Sequence, residues 1–147
     1  MKKLLKVSAC LAIVSSLILY VIPDKAPDVY LNFIDGQKVN IKSYRGNPLL
    51  VTFWSITCSY CLKEIPELTR LYNELNPYGF EIIGIAMSYD QPNKVIELSK
   101  KKQIPYSIAL DINSDAEQAF GSIRTTPTSF LIDPNGKIIQ HNVGTMN

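Results

Sequence analysis

Leu49-Leu50-Val51-Thr52-Phe53-Trp54-Ser55-Ile56-Thr57-Cys58-Ser59-Tyr60-Cys61 is the stretch that decides how the rest of the chain reads. Residues 49–54 form a nearly unbroken apolar run, the pattern of a strand buried on both faces. Beyond them Leu62, Ile65, Leu68, Leu71, Tyr72 and Leu75 recur at helical spacing. A helix is therefore expected over 58–75, ended by Asn76-Pro77 and Gly79. Pro66 inside it removes the amide that would bond the Leu62 carbonyl, so a kink is expected there. The two cysteines thus fall between a buried strand and a helix. Cys58 meets the free amides and positive end of that helix, which favour its thiolate. Cys61 lies one turn inside, close enough to close a disulfide with Cys58 and more shielded from water. One sulfur is placed to attack and the other to resolve. The spacing also fits a permanent disulfide, two unrelated core cysteines or half of a metal site. The missing second ligand pair weakens the metal reading, and the strand–CxxC–helix setting strengthens the redox one.

Working outward, strands and helices alternate. Residues 29–33 and 38–41, either side of Asp35-Gly36, read as a short N-terminal hairpin. Residues 80–87 read as a second buried strand, 91–103 as a helix opening on Pro92, and 107–110 as a third strand. A short helix over 115–120, capped by Gly121, is followed by strands 128–132 and 137–143 joined through Asp133-Pro134-Asn135-Gly136. The order implies an α/β architecture, a mixed central β-sheet flanked by helices.

The whole chain has 147 residues, 46% hydrophobic and 19% charged, with formal net charge +2. That length suits one domain with a real core. The charge is too small for a phosphate-binding footprint, so nucleic acid is not an expected partner. Three cysteines and one histidine leave too few ligands for a closed structural zinc site.

Residues 1–23 are expected to be a membrane anchor or a signal segment, and 24–147 the folded domain. Lys2, Lys3 and Lys6 precede an uncharged run over 7–22, and Pro23 and Pro27 break any helix after it. Counted from Leu4 with Lys6 snorkelling, the run spans about 28 Å, close to the ~30 Å hydrocarbon core. Cys10 reads as an apolar residue within it. The lysines hold the N-terminus in the cytoplasm and place the rest on the exported face of a bacterial inner membrane, where cysteine pairs oxidise.

Three blocks carry a resemblance to the thioredoxin superfamily, specifically its membrane-tethered TlpA/ResA-like thiol–disulfide oxidoreductases. They are residues 49–61, Glu64-Ile65-Pro66-Glu67-Leu68, and Thr125-Thr126-Pro127-Thr128-Ser129-Phe130-Leu131-Ile132-Asp133. The resemblance spans residues 27–144. It implies a thioredoxin-like fold with a strand–helix–strand insertion relative to plain thioredoxin, for which residues 80–110 have room. It implies a Cys58–Cys61 redox pair that needs neither cofactor nor metal and reduces disulfides of exported proteins. Apocytochrome c before haem attachment is a frequent substrate in this group, and a membrane dithiol donor resets the pair.

Pro127 matches the family's cis-proline, which presents the Thr126 backbone to an extended substrate; Trp54, Thr126 and Pro127 are the implied substrate-binding residues. Glu64, three residues after Cys61, matches an active-site glutamate of the ResA-like proteins. Plain thioredoxin keeps a buried Asp where this chain has Thr52, so proton chemistry at Cys61 is expected to fall to Glu64, with its pKa raised by partial burial. The bland alternative is a solvated helix-surface glutamate beside Lys63. Ser59-Tyr60 lacks the proline common between the cysteines, and Thr57 stands where many relatives have Trp; both tune the potential and leave the direction of electron flow open. Relatives continue past Gly144 into a final helix. One sheet face is thus expected to be less covered or covered by a partner, unless the chain continues. His141 reads as structural or exposed.

Two other functions compete for the same cysteines. A thiol peroxidase of the peroxiredoxin group wants Pro-x-x-x-Thr/Ser-x-x-Cys; counting back from Cys58 gives Ser55 but Val51 at the proline position. A copper carrier on the same fold would need His or Met beside the two thiolates, which points to His141 as its control residue.

Overall fold

The computed structural model describes residues 25–146. The expected anchor or signal segment, Cys10 included, lies outside the described residues. At the centre stands β3 (Leu49–Trp54), buried at every position. It is covered on four sides. To its flanks, β4 (Glu81–Ala86) pairs parallel and β6 (Thr128–Ile132) antiparallel. Above and below lie two apolar clusters, and the side-chain alternation of a strand sorts its residues between them. Leu49, Val51 and Phe53 join one cluster with Ile83, Ile85, Phe120 and Phe130. Leu50 and Trp54 join the other with Cys61, Ile65, Leu68, Ile82 and Ile108.

The remaining elements are β1 (Tyr30–Phe33), β2 (Lys38–Asn40), α1 (Ser59–Leu75), α2 (Pro92–Lys101), β5 (Ser107–Leu110), α3 (Asp115–Ala119) and β7 (Ile138–Val143). The seven strands form one mixed sheet in the order β2-β1-β5-β4-β3-β6-β7. The N-terminal hairpin is present, and its β1 adds antiparallel to β5. The β4–α2–β5 unit fills the stretch in which the inserted strand, helix and strand were expected.

Local signals set the element ends. α1 starts one residue later than the periodicity suggests, because Cys58 is extended (φ −85°, ψ 105°) and serves as its N-cap. It runs without a break across Pro66 to Leu75, then closes through a single 3-10 turn ended by Gly79, whose φ of 89° suits glycine. α2 is shorter than expected at its C-terminal end, stopping at Lys101 before Gln103 turns to positive φ. The N-terminus of α3 is served by the buried Asp111, which accepts the amides of Ala116 at 2.9 Å and Glu117 at 2.7 Å. Residues 41–44 form a 3-10 turn that the periodicity did not suggest.

Parallel pairing aligns the C-terminal ends of β3, β4 and β5, with Trp54 beside Ala86 and Ala86 beside Leu110. The loops that follow all emerge at one edge. β6 starts at the same edge, opposite Phe53. On the α1 face, an apolar groove of about 270 Å³ stays open between α1 and the β6–β7 pair, lined by Leu50, Leu71, Leu75, Phe80 and Leu131.

Close packing beneath the Trp54 ring makes one position testable. A Cβ on Gly84 would sit 2.9 Å from Ile108 Cδ1 and 3.2 Å from Trp54 Nε1. Gly84→Ala is therefore expected to lose about 1–3 kcal/mol of stability through overpacking. Denaturant unfolding checks this, and Ile82→Val supplies the ordinary cost of a lost methylene nearby.

Candidate active site

Cys58 and Cys61 are joined as a disulfide with their Cα atoms 5.3 Å apart, inside the normal bridging range. As N-cap, Cys58 turns its sulfur back over the first turn of α1, where the Cys61 amide donates to it at 3.1 Å. That amide is one of the donors a helix start leaves free, and it remains available to a thiolate once the bridge opens. The first turn carries no acidic residue to offset the positive helix end. The Lys63 ammonium lies 5.8 Å over the exposed Tyr60 ring. Cys58 is half-buried, whereas Cys61 is only 3% exposed. An incoming disulfide can reach the first sulfur and not the second.

Across from the bridge, the Thr126 carbonyl oxygen stands 3.5 Å from Cys58 Sγ. The Thr126–Pro127 bond is cis, as the resemblance implied. The backbone there is anchored: Thr128 Oγ1 donates to the Thr125 carbonyl at 2.7 Å, and the Gly144 amide to the Pro127 carbonyl at 2.8 Å.

Glu64 and Cys61 both line a cavity of about 10 Å³, together with Thr52 and Tyr106. Burial raises the Glu64 carboxyl above its ordinary value, and the Met146 amide, donating to it at 2.7 Å, opposes that rise. The solvated-surface alternative does not hold. Burial also pushes the Tyr106 hydroxyl well above the usual tyrosine range, and the nearby Glu64 charge adds to the effect. Thr52 is buried and accepts from Ser129 Oγ at 3.0 Å, a neutral pair where the expected comparison had an acid.

Trp54 requires a correction. Expected as a substrate-binding residue, it is only 5% exposed, packed among Ile108, Tyr106 and the surface of Gly84. Its ring is a wall beneath Cys61, and the exposed aromatic at the bridge is Tyr60, 63% exposed. His141 stacks on Phe130 at 4.5 Å between ring centroids. Phe130 belongs to the cluster across the sheet from Cys61. His141 therefore cannot join the two sulfurs around a copper ion. Among the described residues, no three His, Cys, Asp or Glu side chains are grouped to hold a metal.

Two contributors were not foreseen. The segment after β7 bends back over α1, held by Asn142 Nδ2 donating to the carbonyls of Gly144 at 2.8 Å and Thr145 at 3.2 Å, and so delivers Met146 to Glu64. Asp90 lies behind the CxxC loop, where its carboxylate accepts from Ser55 Oγ and the Ile56 amide, both at 2.9 Å. No spacing rule connects Asp90 to a serine 35 positions earlier. The only local hint is a carboxylate four positions past the end of a buried strand.

Residues 22–141 match the AhpC/TSA family model. A thiol–disulfide oxidoreductase ResA from Bacillus thuringiensis subsp. konkukian is 32% identical over 121 residues, covering 82% of this chain and 68% of its own. The protein of the same description from Geobacillus thermodenitrificans is 31% identical, with the same coverage of both chains. Among solved structures, a thiol:disulfide interchange protein of the thioredoxin family from Chlorobium tepidum superposes with a TM-score of 0.77 at 28% identity. That superposition covers 86% of this chain and 90% of the other.

Proposed function

The chain belongs to the AhpC/TSA family, as a thioredoxin-fold thiol–disulfide oxidoreductase related to ResA, and from that premise we propose that Cys58 and Cys61 are its redox couple and that it reduces disulfides in exported proteins. The observation that carries the reading is the seat of Cys58. It caps a helix, accepts the Cys61 amide, and stands 3.5 Å from a carbonyl on a backbone segment free to meet an extended chain. Attraction to the helix end holds the thiolate, and the Thr126–Pro127 backbone holds the substrate in line.

In the reductive direction, the Cys58 thiolate attacks one sulfur of a substrate disulfide. That S–S bond breaks, a mixed disulfide forms, and the departing substrate thiolate takes a proton from water. Cys61 then gives its proton to Glu64 and attacks the Cys58 sulfur. The mixed disulfide breaks, the second substrate sulfur leaves as a thiolate to be protonated, and the Cys58–Cys61 bond remains. Two electrons have passed from protein to substrate. A dithiol donor in the membrane returns two electrons and two protons and restores the thiols. The basic start and apolar run of residues 1–22 would tether the domain beside such a donor, on the exported face. An apocytochrome c with its cysteines oxidised is the first substrate to try.

The peroxidase reading gains nothing from the site. Val51, where that motif needs proline, is fully buried in β3, and Cys58 has a resolving partner one turn away.

Equilibration of the full chain in detergent with glutathione or thioredoxin tests the proposal. A couple near the thioredoxin end of the scale, about −270 mV, is the expected result, with catalysed reduction of a protein disulfide. A couple near about −120 mV would reverse the direction, and a bond that never exchanges would sink the redox role altogether.

A further inference from the structure

Glu64 is half-buried and, among the described residues, has no counter-charge: the ion pairs there are Lys42–Asp28, Arg70–Glu67 and Arg70–Glu74. The titratable groups that line its cavity are Cys61, on its own helix, and Tyr106, just ahead of β5; neither brings a positive charge. Lys63, next to it in sequence, lies over the Tyr60 ring instead. Burial alone would favour the protonated carboxyl, which cannot take a proton from Cys61.

The donor that offsets this burial is the Met146 amide, 2.7 Å from Glu64 Oε1 and 82 positions away in the chain. A short strap carries it there. Gly144, at a φ of 96°, turns the chain as β7 ends at Val143. Asn142 Nδ2 ties down the carbonyls of Gly144 and Thr145, and Met146 packs against the apolar cluster that contains Cys61. The Gly144 amide meanwhile donates to the Pro127 carbonyl at 2.8 Å. Residues 142–146 thus join the backbone offered to substrate to the carboxylate offered to Cys61. A backbone amide only donates, and its bond to a carboxylate is about twice as strong as one to a neutral carboxyl.

Resting on the redox reading above, we propose that Met146 is a positioning residue, whose backbone amide, carried by the strap 142–146, holds Glu64 ionised to receive the Cys61 proton. In the release step that proton passes from Cys61 Sγ to the Glu64 carboxylate as Cys61 attacks Cys58. The neutral carboxyl then gives it up to water. Without the amide, Glu64 keeps its proton to higher pH, and fewer molecules enter the step with a free base.

Dithiobis(nitrobenzoate) separates the two steps on the reduced full chain in detergent: attack by Cys58 frees one thionitrobenzoate, and attack by Cys61 frees the second. Met146→Pro removes the amide and spares the Gly144 amide on Pro127. It is expected to move the acid limb of the second release toward higher pH. On that limb release should be about three- to tenfold slower, with the first release unchanged. Met146→Leu keeps the amide and should restore the parent's limb. Beside Glu64→Gln, Met146→Pro should slow the second release no further, because the amide acts through the carboxylate. Asn142→Ala frees the strap and serves if the proline variant does not fold; it should shift the limb the same way. An unmoved limb in a folded Met146→Pro or Asn142→Ala chain overturns the inference. So does a slowing that persists beside Glu64→Gln, or one that Met146→Leu shares. A parent that never frees the second thionitrobenzoate overturns the redox reading and this inference with it; a parent that frees it while the variants match it overturns this inference alone.

Discussion

Cys61→Ser is expected to turn the protein into a trap. Cys58 keeps its helix end and its donated amide, so it still attacks a disulfide. Nothing then attacks Cys58 in turn, and the mixed disulfide accumulates. Turnover should fall by at least about a thousandfold, as expected when a residue acting in a covalent unit is removed. A covalent, reductant-sensitive complex should appear on non-reducing gels with a disulfide-bearing substrate protein. Cys58→Ser should lose turnover to the same degree and form no complex, because the remaining sulfur is buried. Equal trapping by both variants would mean that the roles of the two sulfurs are not divided as their exposure suggests.

Glu64→Gln carries the second large effect. A positioned base contributes roughly a hundredfold or more, so release of the mixed disulfide should slow by about that factor at neutral pH, while the first attack on substrate is unchanged. In the parent, release should slow as pH falls through the Glu64 pKa, which burial holds above the ordinary 4.5; the variant should lack that limb. Stability moves the other way. A carboxyl whose pKa is raised in the folded state binds its proton more tightly there than in the unfolded chain. Its contribution is therefore full below about 4.5 and is lost as pH rises through the raised value. Glu64→Gln should match the parent in acid and be the more stable of the two above that window, because a neutral amide still accepts the Met146 amide without a buried charge. Stopped-flow release kinetics and denaturant unfolding against pH measure the two. Unchanged release with a shifted stability profile would leave Glu64 a structural residue.

Much of this molecule is local and was therefore legible. The bounds of β3, β5 and β6 match the apolar runs over 49–54, 107–110 and 128–132. Buried strands announce themselves by composition, and nothing distant is needed to place them. The helix after them was legible from its periodicity, to within one residue at its start. The cysteines, the segment around Pro127 and Glu64 could be singled out as candidates because each sits inside such an element or in a motif attached to one. Trp54 was misplaced for the complementary reason. Its position on the strand was clear, yet whether its ring faces solvent or Gly84 depends on α1, β4 and β5 at once.

Sequence alone determined the strands and α-helices of the described residues, the pairing distance of Cys58 and Cys61, and the chemistry two such sulfurs can perform, since each follows from neighbours within a few turns of chain. The tertiary structure alone decided what surrounds them. Asp90 behind Ser55, the Thr126 carbonyl beside Cys58 and the Met146 amide on Glu64 join residues 35, 68 and 82 positions apart. The physical reason is that hydrogen-bond direction, burial and charge are properties of neighbours in space, and the sheet order, not the order of residues, chooses those neighbours.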